Sequence, residues 1–239
     1  MSTRVHTSYR VMGPTLVVNL NGRRRVLSSA PQGGGLTLAS YLLNHQVEAH
    51  PSSTGDQSKT FTDPARFLRK LAFRLGIRAR TVGLMTAVPM TQLVMARAVS
   101  DGLWVECFAT VGITNAVRAG EWPPQYSHHG KSGKSGTINL ILITNGSLSH
   151  AAMVGAVQVA TEAKTGVLRD HAVPSCRDGG AATGTGTDAV VVACGLRGQG
   201  PSQIYSGTHT MIGTLVGRVV GNCVARGLAK ANAWRESHR

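Results

Sequence analysis

The segment Gly136-Thr137-Ile138-Asn139-Leu140-Ile141-Leu142-Ile143-Thr144-Asn145 constrains the fold more than any other part of this chain. A short apolar run of β-branched and aliphatic residues, bounded by Gly and Asn, reads as a buried strand. The chain around it is rich in Gly, Ala, Val and Thr, a mixture that suits tightly packed α/β layers with many glycine turns. The strand opens on the Thr137 hydroxyl. A rigid sheet edge can present such a side chain to a cleft, and catalytic groups collect at such positions.

With 239 residues, 42% hydrophobic and 15% charged, the chain is a folded protein able to bury a substantial core. Aromatics make up only 5%, too few for a stacking surface that binds single-stranded nucleic acid. The formal net charge is +14, which suits either an anionic partner or an Arg-rich solvated surface. No nucleic-acid-binding motif accompanies the charge, so the solvated surface is the favoured reading. The one tight basic run, Arg23-Arg24-Arg25, follows the hairpin signal Asn21-Gly22 and is expected on an exposed turn or strand start. Cys107, Cys176, Cys194 and Cys223 lie far apart with no Cys-x-x-Cys pair, and read as buried thiols in a reducing compartment. The longest apolar region, Thr210 to Leu228, is broken by Arg218, Asn222 and Arg226, which are costly in lipid. A cytoplasmic protein without membrane or nucleic-acid partners is the expectation.

Organisation along the chain predicts a single α/β-type domain of the α+β kind over residues 1–239, with a mixed β-sheet layered with helices. Residues 1–10 and 231–239 are expected as loose termini. Strands are predicted at 16–20 and 25–29 (a hairpin through Asn21-Gly22), 81–88, 103–115, from Thr137, and 188–193. Helices are predicted at 36–47, 63–75 with Asp63-Pro64 as N-cap and first turn, 89–99, 150–168 capped by Ser149, and 208–230. The 151–168 helix is almost all Ala, Val, Gly and Thr, and is expected to be buried between layers, with Gln158 and Glu162 sharing a face. Gly213, Gly217 and Gly221 repeat every fourth position and suggest close packing against a sheet.

Several constellations bear on chemistry. Gly130-Lys131-Ser132-Gly133-Lys134-Ser135 is not a P-loop: His128 stands where the motif needs Gly, and no strand immediately precedes it. His128-His129 has no carboxylate at ligand spacing, so no metal site is expected. His209, in Ser206-Gly207-Thr208-His209-Thr210, lies at a predicted helix N-terminus; it is either a ligand contact or a capping residue. Ala182-Thr183-Gly184-Thr185-Gly186-Thr187-Asp188 alternates hydroxyls with glycines that let backbone approach a ligand closely. Glu162 and Asp188 are two of only 11 carboxylates and stand in apolar or Gly/Thr-rich settings. Burial of a carboxylate favours its neutral form and suits it to proton transfer.

Together these segments resemble the adenosylcobinamide amidohydrolase family of corrinoid salvage. The matching stretches are Leu27-Ser28-Ser29-Ala30 with Gly33-Gly34-Gly35, Asn44-His45-Gln46-Val47, Thr81 to Ala87, and Ala109 to Ala116. The second half adds Gly136 to Asn145, Thr161-Glu162-Ala163-Lys164, residues 182–193 and Gly207-Thr208-His209-Thr210. The match runs in order through most of residues 25–225. It implies hydrolysis of the amide joining the corrin propionate to its aminopropanol arm. Adenosylcobinamide would yield adenosylcobyric acid, which re-enters coenzyme B12 assembly. The corrinoid is then a small-molecule substrate, and no cofactor is implied. Ser28, Ser29, Gly34, Asn44, Thr187 and His209, in the matching segments, are the expected substrate-binding residues. The polar stretches 48–60 and 121–135 are where departure from relatives is expected.

A fainter similarity links the Gly136-Thr137 strand, its following helix and the Thr187-Asp188 strand to self-processing aminopeptidases and ornithine acetyltransferases. It implies an α/β/β/α order of layers, with Thr137 as nucleophile. Asn115 would then supply a side-chain N–H to the oxyanion, and Glu162 or Asp188 would handle protons. A carboxylate-activated water is the other mechanism open at this point. A small-peptide amidase or aminopeptidase, and a non-enzymatic phosphate or nucleic-acid binder, are the competing functions. Oligomeric state is not specified by the sequence.

Overall fold

The computed structural model describes residues 7–47, 63–122, 136–177 and 179–237. Strands β1 (Ser8–Met12) and β2 (Thr15–Ser28) form a hairpin across Gly13, whose φ is +56°. Then come β3 (Gly35–Gln46), helix α1 (Pro64–Arg74), β4 (Thr81–Thr86), a short 3-10 turn (Met90–Gln92), β5 (Val94–Ser100), β6 (Leu103–Val111) and β7 (Ala116–Val117). The second half holds β8 (Ile138–Thr144), β9 (Ser147–Leu148), α2 (His150–Asp170), β10 (Gly184–Thr185), β11 (Ala189–Cys194), β12 (Ser202–Gln203) and α3 (Met211–Ser237).

Among the described residues, eight strands form one mixed sheet in the order β4-β3-β2-β11-β8-β6-β5, with β1 beside β2. The β3–β4 and β8–β11 pairs are parallel; the other pairs in the sheet are antiparallel. The sheet folds over on itself, so most of its strands are covered on both faces. Phe108, Ile141, Ile143, Val191 and Ala193 pack inward against Leu16, Val18, Leu42, Val82 and Leu84. The outward faces of β6, β8 and β11 (Cys107, Leu140, Leu142, Val192) pack on α2 and α3 through Ala156, Ala160, Val216 and Val220. Across the sandwich, Val17 and Leu43 meet Ala72 of α1. The layers therefore run helix, sheet, sheet, helix. This double cover explains why β8 is buried at every position and apolar from Leu140 to Ile143, with Asn139 the polar exception near its start.

The ends of the helices follow from local chemistry. The Asp63 side chain accepts from Arg66 N at 2.8 Å with Pro64 in the first turn, and Ser149 Oγ accepts from Ala152 N at 3.0 Å.

Several expectations are corrected. Residues 36–47 form β3, not a helix: hairpin pairing with β2 on one side and parallel pairing with β4 on the other override the helix-favouring Leu and Ala content. The 89–99 helix is replaced by the 3-10 turn and β5. Val94, Ala96 and Ala98 alternate buried with more exposed neighbours, and Asp101-Gly102 at φ +50° and +74° closes a tight hairpin into β6. Asn21-Gly22 is not a hairpin turn. Both halves of β2 pair with β3, and the register shifts between Asn19 and Arg24, so the signal marks a bulge inside one long strand. Arg23 is exposed there, but Arg24 and Arg25 are tucked in, donating to Thr144 O and Leu148 O. Within the stretches expected as loose termini, β1 begins at Ser8 and α3 runs to Ser237. Helix α2 is not buried all round: its buried stripe is Ala152, Met153, Ala156, Val159, Ala160, Lys164 and Leu168, while Val154 and Gln158 face solvent. In α3, Gly217 and Gly221 face α2 rather than the sheet, opposite Val159 and Val167, while Gly213 is pressed on the Ser206-Gly207 backbone. Gly227 is the glycine pressed on the sheet, because a Cβ there would stand 2.4 Å from Val111. Of the cysteines, Cys107, Cys194 and Cys223 are buried free thiols, but Cys176 is exposed.

Candidate active site

Three consecutive residues at the entrance to β8 are held by the turn that leads into β11. Thr187 Oγ1 donates to Gly136 O (3.2 Å), Thr137 Oγ1 donates to Thr187 O (2.8 Å), and Ile138 N donates to Asp188 Oδ1 (2.9 Å). Asp188 is itself fixed. Thr185 Oγ1 donates to its Oδ1 at 2.5 Å, and Thr185 N and Lys164 Nζ donate to its Oδ2 at 3.1 and 2.5 Å. Lys164 reaches the pair from the buried stripe of α2. Gly184 makes room for the pair: a Cβ there would lie 2.5 Å from Asp188 Oδ2 and 2.8 Å from Lys164 Nζ. A buried lysine needs such a partner, since an uncompensated charge is costly there.

The β6–β7 connection walls the other side of Gly136. A Cβ at Gly136 would lie 2.6 Å from Asn115 Oδ1, 2.7 Å from Thr114 Oγ1 and 2.9 Å from Gly112 O, so only glycine fits. Gly112 N donates to Thr137 O at 2.9 Å. Asn115 Oδ1 is buried and has no hydrogen-bond partner among the described residues. A cleft of about 580 Å³ lined by Arg118, Glu121, Trp122 and Arg177 follows β7 on this side of the molecule.

From Thr137 a chain of uncharged polar side chains runs between the two sheet layers. Thr137 Oγ1 faces Asn139 Oδ1 at 3.4 Å, and Asn139 Nδ2 donates to Met85 O (2.8 Å) and Asn44 Oδ1 (3.0 Å). Asn44 Nδ2 donates to Thr110 Oγ1 (3.1 Å), which is 3.4 Å from Thr86 Oγ1, and Val88 N donates to Thr86 Oγ1 at 3.1 Å. Every side chain in this chain is buried. His45, next along β3, points the other way: its Nδ1 is 2.8 Å from Thr15 Oγ1 and its ring meets Phe67 of α1. Burial holds its pKa below the ordinary histidine value.

The structure brings Thr137, Asn115, Thr187 and Asp188 together. It does not bring Glu162 to them. Glu162 is exposed on α2, off the stripe that carries Lys164, so the expected burial of this carboxylate is corrected. The helical period explains it: residues two apart on a helix point to nearly opposite sides. Asn44 reaches the site from within the core, behind Asn139, where a substrate would not touch it. Ser28 and Ser29 lie beside β11, their hydroxyls accepting from Ala30 N (2.8 Å) and Val190 N (3.1 Å). Gly34 is required by its own turn, because a Cβ would stand 2.4 Å from Ala30 O. His209 is exposed just before α3, in the loop whose Ser206 donates to Ala152 O in the first turn of α2. That is the far end of β8 and α2 from Thr137. His128-His129, Lys131, Lys134 and the 48–60 stretch lie outside the described residues, as does most of 121–135. No three His, Cys, Asp or Glu residues converge as a metal-binding group among the described residues.

Sequence reasoning missed Lys164, Asn139, Thr110 and Thr86. Two of them carried a signal. Asn139 is the one polar residue between Ile138 and Ile143, and Lys164 falls on the Ala156-Ala160 stripe at helical spacing.

Fold and site together define a layered α+β protein that presents, at the mouth of a central strand, a threonine hydroxyl and a carboxamide whose oxygen has no hydrogen-bond partner among the described residues. The family model described as adenosylcobinamide amidohydrolase matches residues 1–236. The chain belongs to that family, and so to the hydrolases acting on amides. It is 31% identical over 187 residues to an adenosylcobinamide amidohydrolase of Methanosarcina mazei, covering 77% of this chain and 76% of that one. It is 30% identical over 231 residues to an uncharacterized protein of Methanocaldococcus jannaschii, covering 90% and 86%. Among solved structures, a Burkholderia sp. beta-aminopeptidase covers 93% of this chain and 82% of its own, at TM-score 0.39 and 10% identity. No helix among the described residues is long and apolar enough to cross a membrane.

Proposed function

We propose that the protein hydrolyses the aminopropanol amide of adenosylcobinamide to adenosylcobyric acid, with Thr137 as nucleophile. The observation that carries this reading is the clamp on Gly136, Thr137 and Ile138. It fixes a hydroxyl at a strand mouth, in a chain whose family is named for this amide. Amides are poor electrophiles, so a held nucleophile gains much of its effect from orientation. The Thr137 oxygen attacks the propionyl carbonyl, and the C–N bond breaks. The hydroxyl proton ends on the departing amine, which leaves as aminopropanol. Water then cleaves the Thr137 ester, restoring the hydroxyl and releasing the corrinoid carboxylic acid. Asn115, whose Oδ1 is packed against Gly136, offers its side-chain N–H to the oxyanion. Asp188, engaged by Lys164, Thr185 and Ile138 N, positions the strand entrance rather than relaying protons. The corrinoid is a small-molecule substrate, and the hydrolysis needs no cofactor.

The test is incubation of the purified protein with adenosylcobinamide, followed by mass spectrometry for adenosylcobyric acid and free aminopropanol. Equimolar appearance of both is expected. Intact adenosylcobinamide after prolonged incubation with folded protein would overturn the reading.

A further inference from the structure

The polar chain behind Thr137 has a direction, and Met85 O sets it. A backbone carbonyl only accepts, so the atom of Asn139 that faces Met85 O at 2.8 Å is the amide nitrogen. The second N–H of that nitrogen goes to Asn44 Oδ1 at 3.0 Å. Asn44 in turn must face Thr110 with its own nitrogen, at 3.1 Å. Turning over either carboxamide alone would bring two donors or two acceptors together. Asn139 is therefore left with only its oxygen to present to Thr137, at 3.4 Å.

The consequence falls on the nucleophile. Thr137 Oγ1 donates to Thr187 O at 2.8 Å, and its other near neighbour, Asn139 Oδ1, is also an acceptor. Among the described residues, no side chain donates to Thr137 Oγ1. Its hydrogen is directed to Thr187 O, and among the described residues its lone pairs are free to meet an electrophile. A reversed Asn139 would donate into Thr137 and occupy a lone pair.

We propose that Asn44, seconded by Thr110, is a positioning residue for Thr137: together with Met85 O, it holds the Asn139 carboxamide in the orientation that sets an acceptor, not a donor, against the nucleophile. This rests on Thr137 as the attacking group. It gives Asn44 a role through Asn139 instead of contact with substrate.

The test compares kcat, KM and thermal midpoint on adenosylcobinamide for wild type, Asn44→Leu, Asn44→Asp, Thr110→Val and Thr137→Ala. Asn44→Leu removes the acceptor for Asn139 at similar size, and kcat is expected to fall roughly ten- to a hundredfold with KM within about twofold. Asn44→Asp keeps an acceptor for Asn139 and is expected to recover kcat to within about threefold of wild type. Thr110→Val leaves Asn44 Nδ2 without its acceptor, loosens the carboxamide that Asn139 leans on, and is expected to lower kcat severalfold. It carries the test if Asn44→Leu does not fold. Wild-type kcat in folded Asn44→Leu or Thr110→Val, or equal loss in the Leu and Asp variants, would overturn the proposal. Thr137→Ala separates the two claims. Full turnover there removes Thr137 as nucleophile; an inactive Thr137→Ala beside an unimpaired Asn44→Leu removes only the positioning role.

Discussion

The interior of the folded sheet holds two polar clusters, and they are built in opposite ways. The paired strands β6 and β8 carry both on one face. Thr110 stands opposite Asn139, then Phe108 opposite Ile141, then Glu106 opposite Ile143. The apolar Phe108–Ile141 step separates an uncharged cluster from a charged one. At the charged end, Glu106 is 0% exposed, accepts from Thr7 N at 3.0 Å and from Thr7 Oγ1, and lies 3.3 Å from Arg97 Nε. Arg24 and Arg97 both pack over Trp104, and a cavity of about 170 Å³ lies among them. At the uncharged end, carboxamides and hydroxyls lead to Thr137, and Gly112, Gly136 and Gly184 let backbone and side chains crowd in. A buried carboxylate is thus a poor pointer to the site here. Glu106 is the most deeply buried carboxylate among the described residues, yet it lies away from the residues that converge on Thr137. The charged end satisfies its groups by pairing them, whereas the uncharged end orients a hydroxyl.

The contrast can be broken by substitution at either end. The largest effect is expected from Thr137→Ala, which removes the attacking oxygen. Turnover should fall by about a thousandfold or more while the thermal midpoint stays near that of wild type, as measured by product formation and calorimetry. Asp188→Ala comes next. It strips Lys164 of its partner and releases Ile138 N, so a stability loss of about 3 kcal/mol is expected in denaturant titration, with a clear fall in kcat. Glu106→Gln should move stability alone. Arg97 loses its counter-charge, costing about 1–3 kcal/mol, while kcat at a permissive temperature stays within about twofold of wild type. A matching loss of kcat would dissolve the distinction between the two ends.

The smallest effect is in pH dependence. Burial depresses the pKa of His45 in the folded state, so between its folded value and the ordinary one the unfolded chain binds more protons. Its contribution to stability is present above the ordinary histidine value and is lost as pH falls through the folded value. Thermal midpoints taken from about pH 7 down to about pH 5 should decline, and His45→Gln should flatten that part of the profile.

What was legible in the sequence follows the same division. The β8 strand and the Asp63-Pro64 and Ser149 helix starts rest on local signals that the fold does not override, whereas the grouping of Thr137 with Asn115 and Asp188 rests on the resemblance to self-processing aminopeptidases and ornithine acetyltransferases, and Thr187 on the family segments. β3 was not legible. Its partners are 15–28 and 81–86 in the chain, and only their pairing turns a Leu- and Ala-rich segment into a strand. β5 reads as a helix from the sequence even though Asp101-Gly102, a hairpin signal as plain as Asn21-Gly22, lies between it and β6. Asn21-Gly22 itself marked a bulge, since a positive-φ pair serves either purpose. Glu162 and Lys164 show the cost of judging a helix by composition. The sequence around them is apolar throughout, and only the period, anchored on Ala156 and Ala160, tells the exposed carboxylate from the buried amine.

The most direct measurement of the central claim is partitioning of the reaction with hydroxylamine. An ester on Thr137 can be cleaved by water or by an added amine, whereas direct attack of water on the amide yields acid alone. With adenosylcobinamide as substrate, the Thr137 account predicts that adenosylcobyric hydroxamate appears beside adenosylcobyric acid and rises in proportion to hydroxylamine. Acid as the sole corrinoid product at every hydroxylamine concentration, with turnover undiminished, would contradict it.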